Sequence, residues 1–88
     1  MAILRPTERF GKSLGELDTK SQKAVAKALR LLLDNPHHPS LRTHKMEGHS
    51  DIFEASANMD IRITFHYEKP DTIVLRNCGH HDEALSNP

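Results

Sequence analysis

Tryptophan is absent, tyrosine and cysteine occur once each, and aromatic residues make up 5% of the 88 positions. The single cysteine, Cys78, excludes an internal disulfide and favours a reducing, cytoplasmic compartment. Excess charge is missing as well: Lys plus Arg and Asp plus Glu both number 12. A balanced chain lacks the strong cationic surplus of a general nucleic-acid binder, so any such role must rest on local charge. No long apolar run is present, and neither a secretory signal nor a membrane span is expected. The apolar fraction of 36% is low, yet its patterning is too regular for a disordered chain. What is abundant is histidine, with seven residues whose protonation can change near neutral pH. The length allows one domain, residues 1–88, with a modest core that a partner would help to stabilise.

The clearest pattern is Ile61 to Asp82, IRITFHYEKPDTIVLRNCGHHD. Ile61, Ile63, Phe65 and Tyr67 alternate with Arg62, Thr64 and His66, the period of a half-buried strand. Glu68-Lys69-Pro70-Asp71 supplies turn residues, and Thr72 to Cys78 returns as an antiparallel partner. Upstream, Phe10, Leu14 and Leu17 form one helical stripe after a capping Thr7. Val25, Ala28, Leu29, Leu32 and Leu33 form a second stripe, opened by a Thr19–Gln22 capping box and closed at Asn35-Pro36. Residues 37–50 show no sustained period and read as a loop with a short turn near Leu41, and DIFEASA (51–57) reads as a strand. The pattern predicts an α+β domain: a twisted antiparallel sheet of about four strands, near 2–5, 52–57, 60–67 and 72–78, covered on one face by a helical hairpin (7–16 and 19–34). The other sheet face is expected to be open.

Function is sought on that open face. Arg62 and His66 share it, and an arginine there can either face solvent or grip phosphate through its planar fork. Gly79-His80-His81-Asp82 ends the last strand with two imidazoles and a carboxylate, groups that exchange protons near neutrality. Asp82 either orients one imidazole or caps the last helical turn. His44 and Lys45 lie in the loop before the sheet, where catalytic groups often sit beside a rigid scaffold. No His or Cys spacing matches a zinc signature, so neither a metal nor a cofactor is expected. Cys78 faces either the core or the open side.

NPHHPSLRTHKMEG, DIFEAS, DIRITF and VLRNCGHHDEAL, in this order, resemble the RelE/ParE superfamily of bacterial toxins, on its RelE/YafQ-like side, over nearly the whole chain. The resemblance implies the β-α-α-β-β-β order and a toxin neutralised by a cognate antitoxin. It also implies metal-independent cleavage of mRNA on the ribosome, hence inhibition of translation. Arg62 matches the strand arginine on the scissile phosphate, His81 the residue just after the last strand's glycine, His44 the loop histidine and Asp60 the acidic residue before the central strand. His81, Arg62 and His44 are then the catalytic candidates, with Lys45, Arg76, His66, Asp60 and His80 contacting substrate. Leu85 stands where many ribonuclease members carry Tyr or Phe, and Ser56 where close relatives often have Arg. Other branches inhibit DNA gyrase by binding, and a degenerate domain would only pair with its antitoxin.

Overall fold

The computed structural model describes residues 2–88, the side chains of Glu83 and Leu85 excepted, so the expectation for Leu85 lies outside the described residues. The elements are β1 (Ile3–Pro6), α1 (Glu8–Gly15), α2 (Thr19–Asp34), a 3-10 turn (Pro39–Leu41), β2 (His44–Lys45), β3 (Phe53–Ser56), β4 (Ile61–Glu68), β5 (Thr72–His80) and α3 (His81–Ser86). The α+β architecture and its helical hairpin match the expectation. Two features of the sheet correct it.

The sheet is mixed and has five strands in the order β1-β5-β4-β3-β2. β1 runs parallel to β5, whereas β2, β3, β4 and β5 are successively antiparallel. The strand missing from the sequence reading is β2, two residues long and therefore without a legible period. It also explains the orientation of β1: counting β2 adds one chain reversal between β1 and β5. Pro6 sits at the end of edge strand β1, where its missing N–H is tolerated.

Ile61, Ile63 and Phe65 are fully buried and meet Phe10, Val25, Ala28 and Leu32 from the helices. Burying each such side chain contributes about 1.5–3 kcal/mol, so Leu32→Ala, which leaves a cavity, costs about 2–5 kcal/mol. Tyr67, expected on the buried face, is 43% exposed where the strand runs beyond the helices. Thr7 caps α1 by accepting from the Phe10 N–H (3.1 Å), and its hydroxyl donates to the Leu75 carbonyl (2.8 Å), tying α1 to β5. The start of α2 departs from the expected capping box. Asp18 is the cap, accepting from the Ser21 N–H at 2.8 Å, while Gln22 donates to the Leu14 carbonyl at 3.0 Å and joins the two helices.

A bulge sets the phase of β5. Thr64 pairs with Asn77 and Phe65 with Leu75, leaving Arg76 as the extra residue. Core positions consequently shift from Ile73 and Leu75 to Cys78. Cys78 is buried, and desolvation pushes its thiol up to about 11.

The face expected to be open is partly covered. α3 packs on β4 and β5, Ala84 is buried, and the tail runs across the strands. Thr64 Oγ1 and Arg76 Nε donate to the Pro88 carbonyl at 3.1 and 3.0 Å, and Asn77 Nδ2 to the Asn87 carbonyl at 2.8 Å. Thr64 has no exposed surface left. No helix among the described residues is long and apolar enough to cross a membrane.

Candidate functional site

Directly paired residues of an antiparallel ladder project to the same side. His44 pairs with Glu54, Glu54 with Thr64, and Ser56 with Arg62, so these five residues share the face away from α1 and α2. Only part of that face is under the tail. Its β2–β3–β4 flank holds an ionic cluster centred on Glu54, which is 3% exposed. Glu54 Oε1 lies 3.3 Å from His44 Nε2 and 4.0 Å from Arg62 Nε. Glu54 Oε2 is buried and, among the described residues, has no hydrogen-bond partner. A buried carboxylate oxygen without a donor costs stability, about 1–3 kcal/mol or more for a charged group.

The neighbours of Glu54 are held by their own backbone contacts. His44 Nδ1 lies 2.9 Å from the Arg42 carbonyl. A carbonyl only accepts, so Nδ1 carries the hydrogen, and Nε2 is the ring atom turned to the Glu54 carboxylate. Arg62 Nη1 donates to the carbonyls of Asn58 (2.7 Å), Met59 (3.2 Å) and Ile61 (3.2 Å), which fixes the guanidinium at the β3–β4 turn.

His81 begins α3, its N–H bonded to the Asp60 carbonyl at 3.0 Å and its Nδ1 lying 3.7 Å from Asp82 Oδ1. The imidazole is half exposed. Asp60 is exposed and acts here through its backbone. β2 and β5 are three ladder spacings apart, about 14 Å at roughly 4.8 Å each. The structure therefore brings His44 and Arg62 together at Glu54 and leaves His81 outside that cluster.

The remaining sequence candidates separate from this cluster. Lys45 pairs with Phe53, on the opposite face from His44, and its Nζ lies 5.8 Å from the Phe53 ring centre. His80 pairs with Ile61 and opens toward a cleft of about 550 Å3 beside α1, lined also by Arg9, Ser13, Asp18 and Asn77. That cleft is internally satisfied: Ser13 donates to Asn77, and Asn77 and Arg9 both donate to Asn87. His66 and Arg76 belong to a second ionic cluster. Arg76 Nη1 lies 3.0 Å from His66 Nδ1, and His66 Nε2 3.5 Å from Glu68 Oε2. A guanidinium only donates, so Nδ1 accepts and both ring nitrogens are engaged.

Glu54 is the residue that sequence reasoning missed. Its signal was present, because the alternation in DIFEASA sets it opposite Phe53 and Ala55. Recognising its role required the ladder that joins it to His44 and Arg62. Among the described residues, no three His, Cys, Asp or Glu side chains gather to hold a metal ion. Glu54 and His44 supply two donors, and Arg62 already places a cation beside them.

No family model matches the chain, and no curated protein matches it in sequence. Solved structures match its fold over nearly the full length. YafQ from E. coli strain BL21(DE3) covers 97% of this chain and 99% of its own, with a TM-score of 0.78 at 11% identity. A metal-bound toxin from Helicobacter pylori covers 94% and 98%, with a TM-score of 0.72 at 23% identity. RelE in an archaeal RelE–RelB complex from Pyrococcus horikoshii OT3 covers 90% and 93%, with a TM-score of 0.74 at 17% identity. The chain has the RelE/YafQ-like toxin fold.

Proposed function

We propose that this protein is the toxin of a toxin–antitoxin pair and acts in the cytoplasm as a metal-independent endoribonuclease on ribosome-bound mRNA. The observation that carries this reading is the buried, half-satisfied Glu54 carboxylate held between His44 and Arg62 on the sheet face away from the helical hairpin. Such an arrangement is costly for folding and useful for accepting a proton beside a phosphate. Toxins of this fold are seen in complex with antitoxins, as in the E. coli RelBE and DinJ–YafQ structures, and an antitoxin covering the same face would silence the site.

The reaction is transesterification within RNA. The Glu54–His44 pair removes the 2′-OH proton as its oxygen attacks phosphorus. Arg62 stabilises the charge that develops on the phosphorane oxygens. As the P–O5′ bond breaks, His81 protonates the leaving 5′-oxygen, giving a 2′,3′-cyclic phosphate and a 5′-hydroxyl. With a formal net charge of zero the chain has little general cationic attraction for RNA, which supports assigning RNA positioning to the ribosome.

Incubating the purified chain with translating ribosomes and mapping mRNA ends tests the reading. Cleavage leaving cyclic phosphate ends, unaffected by a chelator, is the expected outcome. Intact mRNA together with inhibited gyrase supercoiling would overturn it in favour of a binding toxin.

A further inference from the structure

Next to the cluster, and sharing Arg62 with it, is a second feature. A cavity of about 280 Å3 is lined by Ser40, Arg42, Ser56, Asn58, Met59 and Arg62. It lies just below the range of about 300–1,000 Å3 typical of pockets that enclose drug-sized ligands, which suits one nucleotide unit. We propose that it is the subsite for the nucleotide flanking the scissile phosphate, rests on the ribonuclease reading, and is specified by Arg42 and Met59.

Charge defines the ligand class. Two arginines and no acid line the cavity. Arg62 is shared: its Nε faces Glu54, while its Nη1 reaches the Asn58 and Met59 carbonyls at the cavity wall. A nucleotide held there is joined to the reacting phosphate through one guanidinium. The Arg42 guanidinium has no partner among the described residues and is left to bind an anion. Asn58 Oδ1 accepts the N–H groups of Asp60 and Ile61, both at 2.8 Å, so its amide hydrogens remain for a ligand.

Arg42 ends the 3-10 turn as its left-handed cap (φ 50°, ψ 41°), with its N–H bonded to the Pro39 carbonyl at 3.3 Å. The same residue points its carbonyl at His44 Nδ1 and lines the cavity with its side chain, coupling the subsite to the catalytic histidine. Met59 is 90% exposed at the rim, a polarisable thioether offered to the face of a base.

The test is a titration with each nucleoside 3′,5′-bisphosphate, followed by amide chemical shifts. Shifts should centre on residues 40–42 and 56–59. Arg42→Gln should weaken binding roughly tenfold and reduce the slope of log K against log salt by about 0.7, the single-strand value for one phosphate contact. Arg42→Gly, which suits the positive φ, gives the same loss in a chain that folds at least as well. Met59→Ala should weaken binding a few-fold and leave the slope unchanged. Glu54→Gln should still bind the bisphosphate while losing cleavage, whereas an unsubstituted protein that binds but never cleaves ribosome-bound mRNA refutes the ribonuclease reading and leaves nucleotide binding in this cavity standing. Shifts centred elsewhere, or Arg42 variants with unchanged affinity and salt slope, would overturn the subsite itself.

Discussion

On β2, β3 and β4, His44, Glu54 and Arg62 meet with one carboxylate oxygen left over. On β4 and β5, His66, Glu68 and Arg76 form a similar set, extended to Arg5 and the Pro88 carbonyl, in which both Glu68 oxygens are engaged. The two clusters use the same residue types on the same sheet face. One has spare capacity at a buried carboxylate, and the other spends its capacity on joining β1, β4, β5 and the tail. Residue type and face do not distinguish the two clusters; saturation of the carboxylate does, and the proposed function assigns the chemistry to the unsaturated one.

Substitutions should separate the two clusters. The largest effect is expected for His44→Ala, which should lower ribosome-dependent cleavage by roughly 10²–10⁴-fold, the scale of a lost proton-transfer group. Arg62→Ala should cost about 2.7–4 kcal/mol in transition-state binding. It should also destabilise the fold by about 1–3 kcal/mol, chiefly because buried Glu54 loses its nearby cation, while the exposed Asn58 and Met59 carbonyls lose a donor. Chemical denaturation alongside the cleavage assay reads both. Arg76→Ala should reverse the balance, costing about 1.5–3 kcal/mol of stability while cleavage changes only a few-fold. Equal losses of activity at Arg76 and Arg62 would erase the distinction between the clusters.

A smaller, pH-dependent effect belongs to the helix-covered face. Burial raises the Cys78 thiol from an ordinary value of 9.0 to about 11. The folded chain then holds this proton more tightly than the unfolded one. Its contribution to stability is complete below pH 9 and is lost as pH rises toward 11. Tyr67, also raised by burial, adds in the same direction. Denaturation midpoints should fall over this interval, less so in Cys78→Ala, and the native thiol should resist alkylation at neutral pH.

The helices, β4 and β5 were legible because each carries a sustained period, and the alternation from Ile61 to Phe65 fixed which side is buried. Three features were not. β2 is too short to have a period, and without it the orientation of β1 comes out reversed. The bulge at Arg76 shifts the inward phase within β5, which no single-strand alternation reveals. The packing of α3 and the tail depends on the Thr64, Arg76 and Asn77 side chains meeting backbone carbonyls at the end of the chain. For the candidate site, Arg62 was singled out from its face, His81 from the end of the last strand and His44 from the loop before the sheet, and the family resemblance then gave them roles. Glu54 escaped because a carboxylate in a strand ordinarily means solvent, whereas here it is buried.

The most direct test is Glu54→Gln, with cleavage and thermal unfolding measured on the same preparation. The amide keeps the shape of the side chain and removes the buried charge. Cleavage should fall by roughly 10²–10⁴-fold, while the unfolding midpoint stays level or rises, because an incompletely satisfied buried carboxylate no longer opposes folding. Full cleavage by Glu54→Gln, or a loss of activity that only follows a loss of fold, would contradict the account.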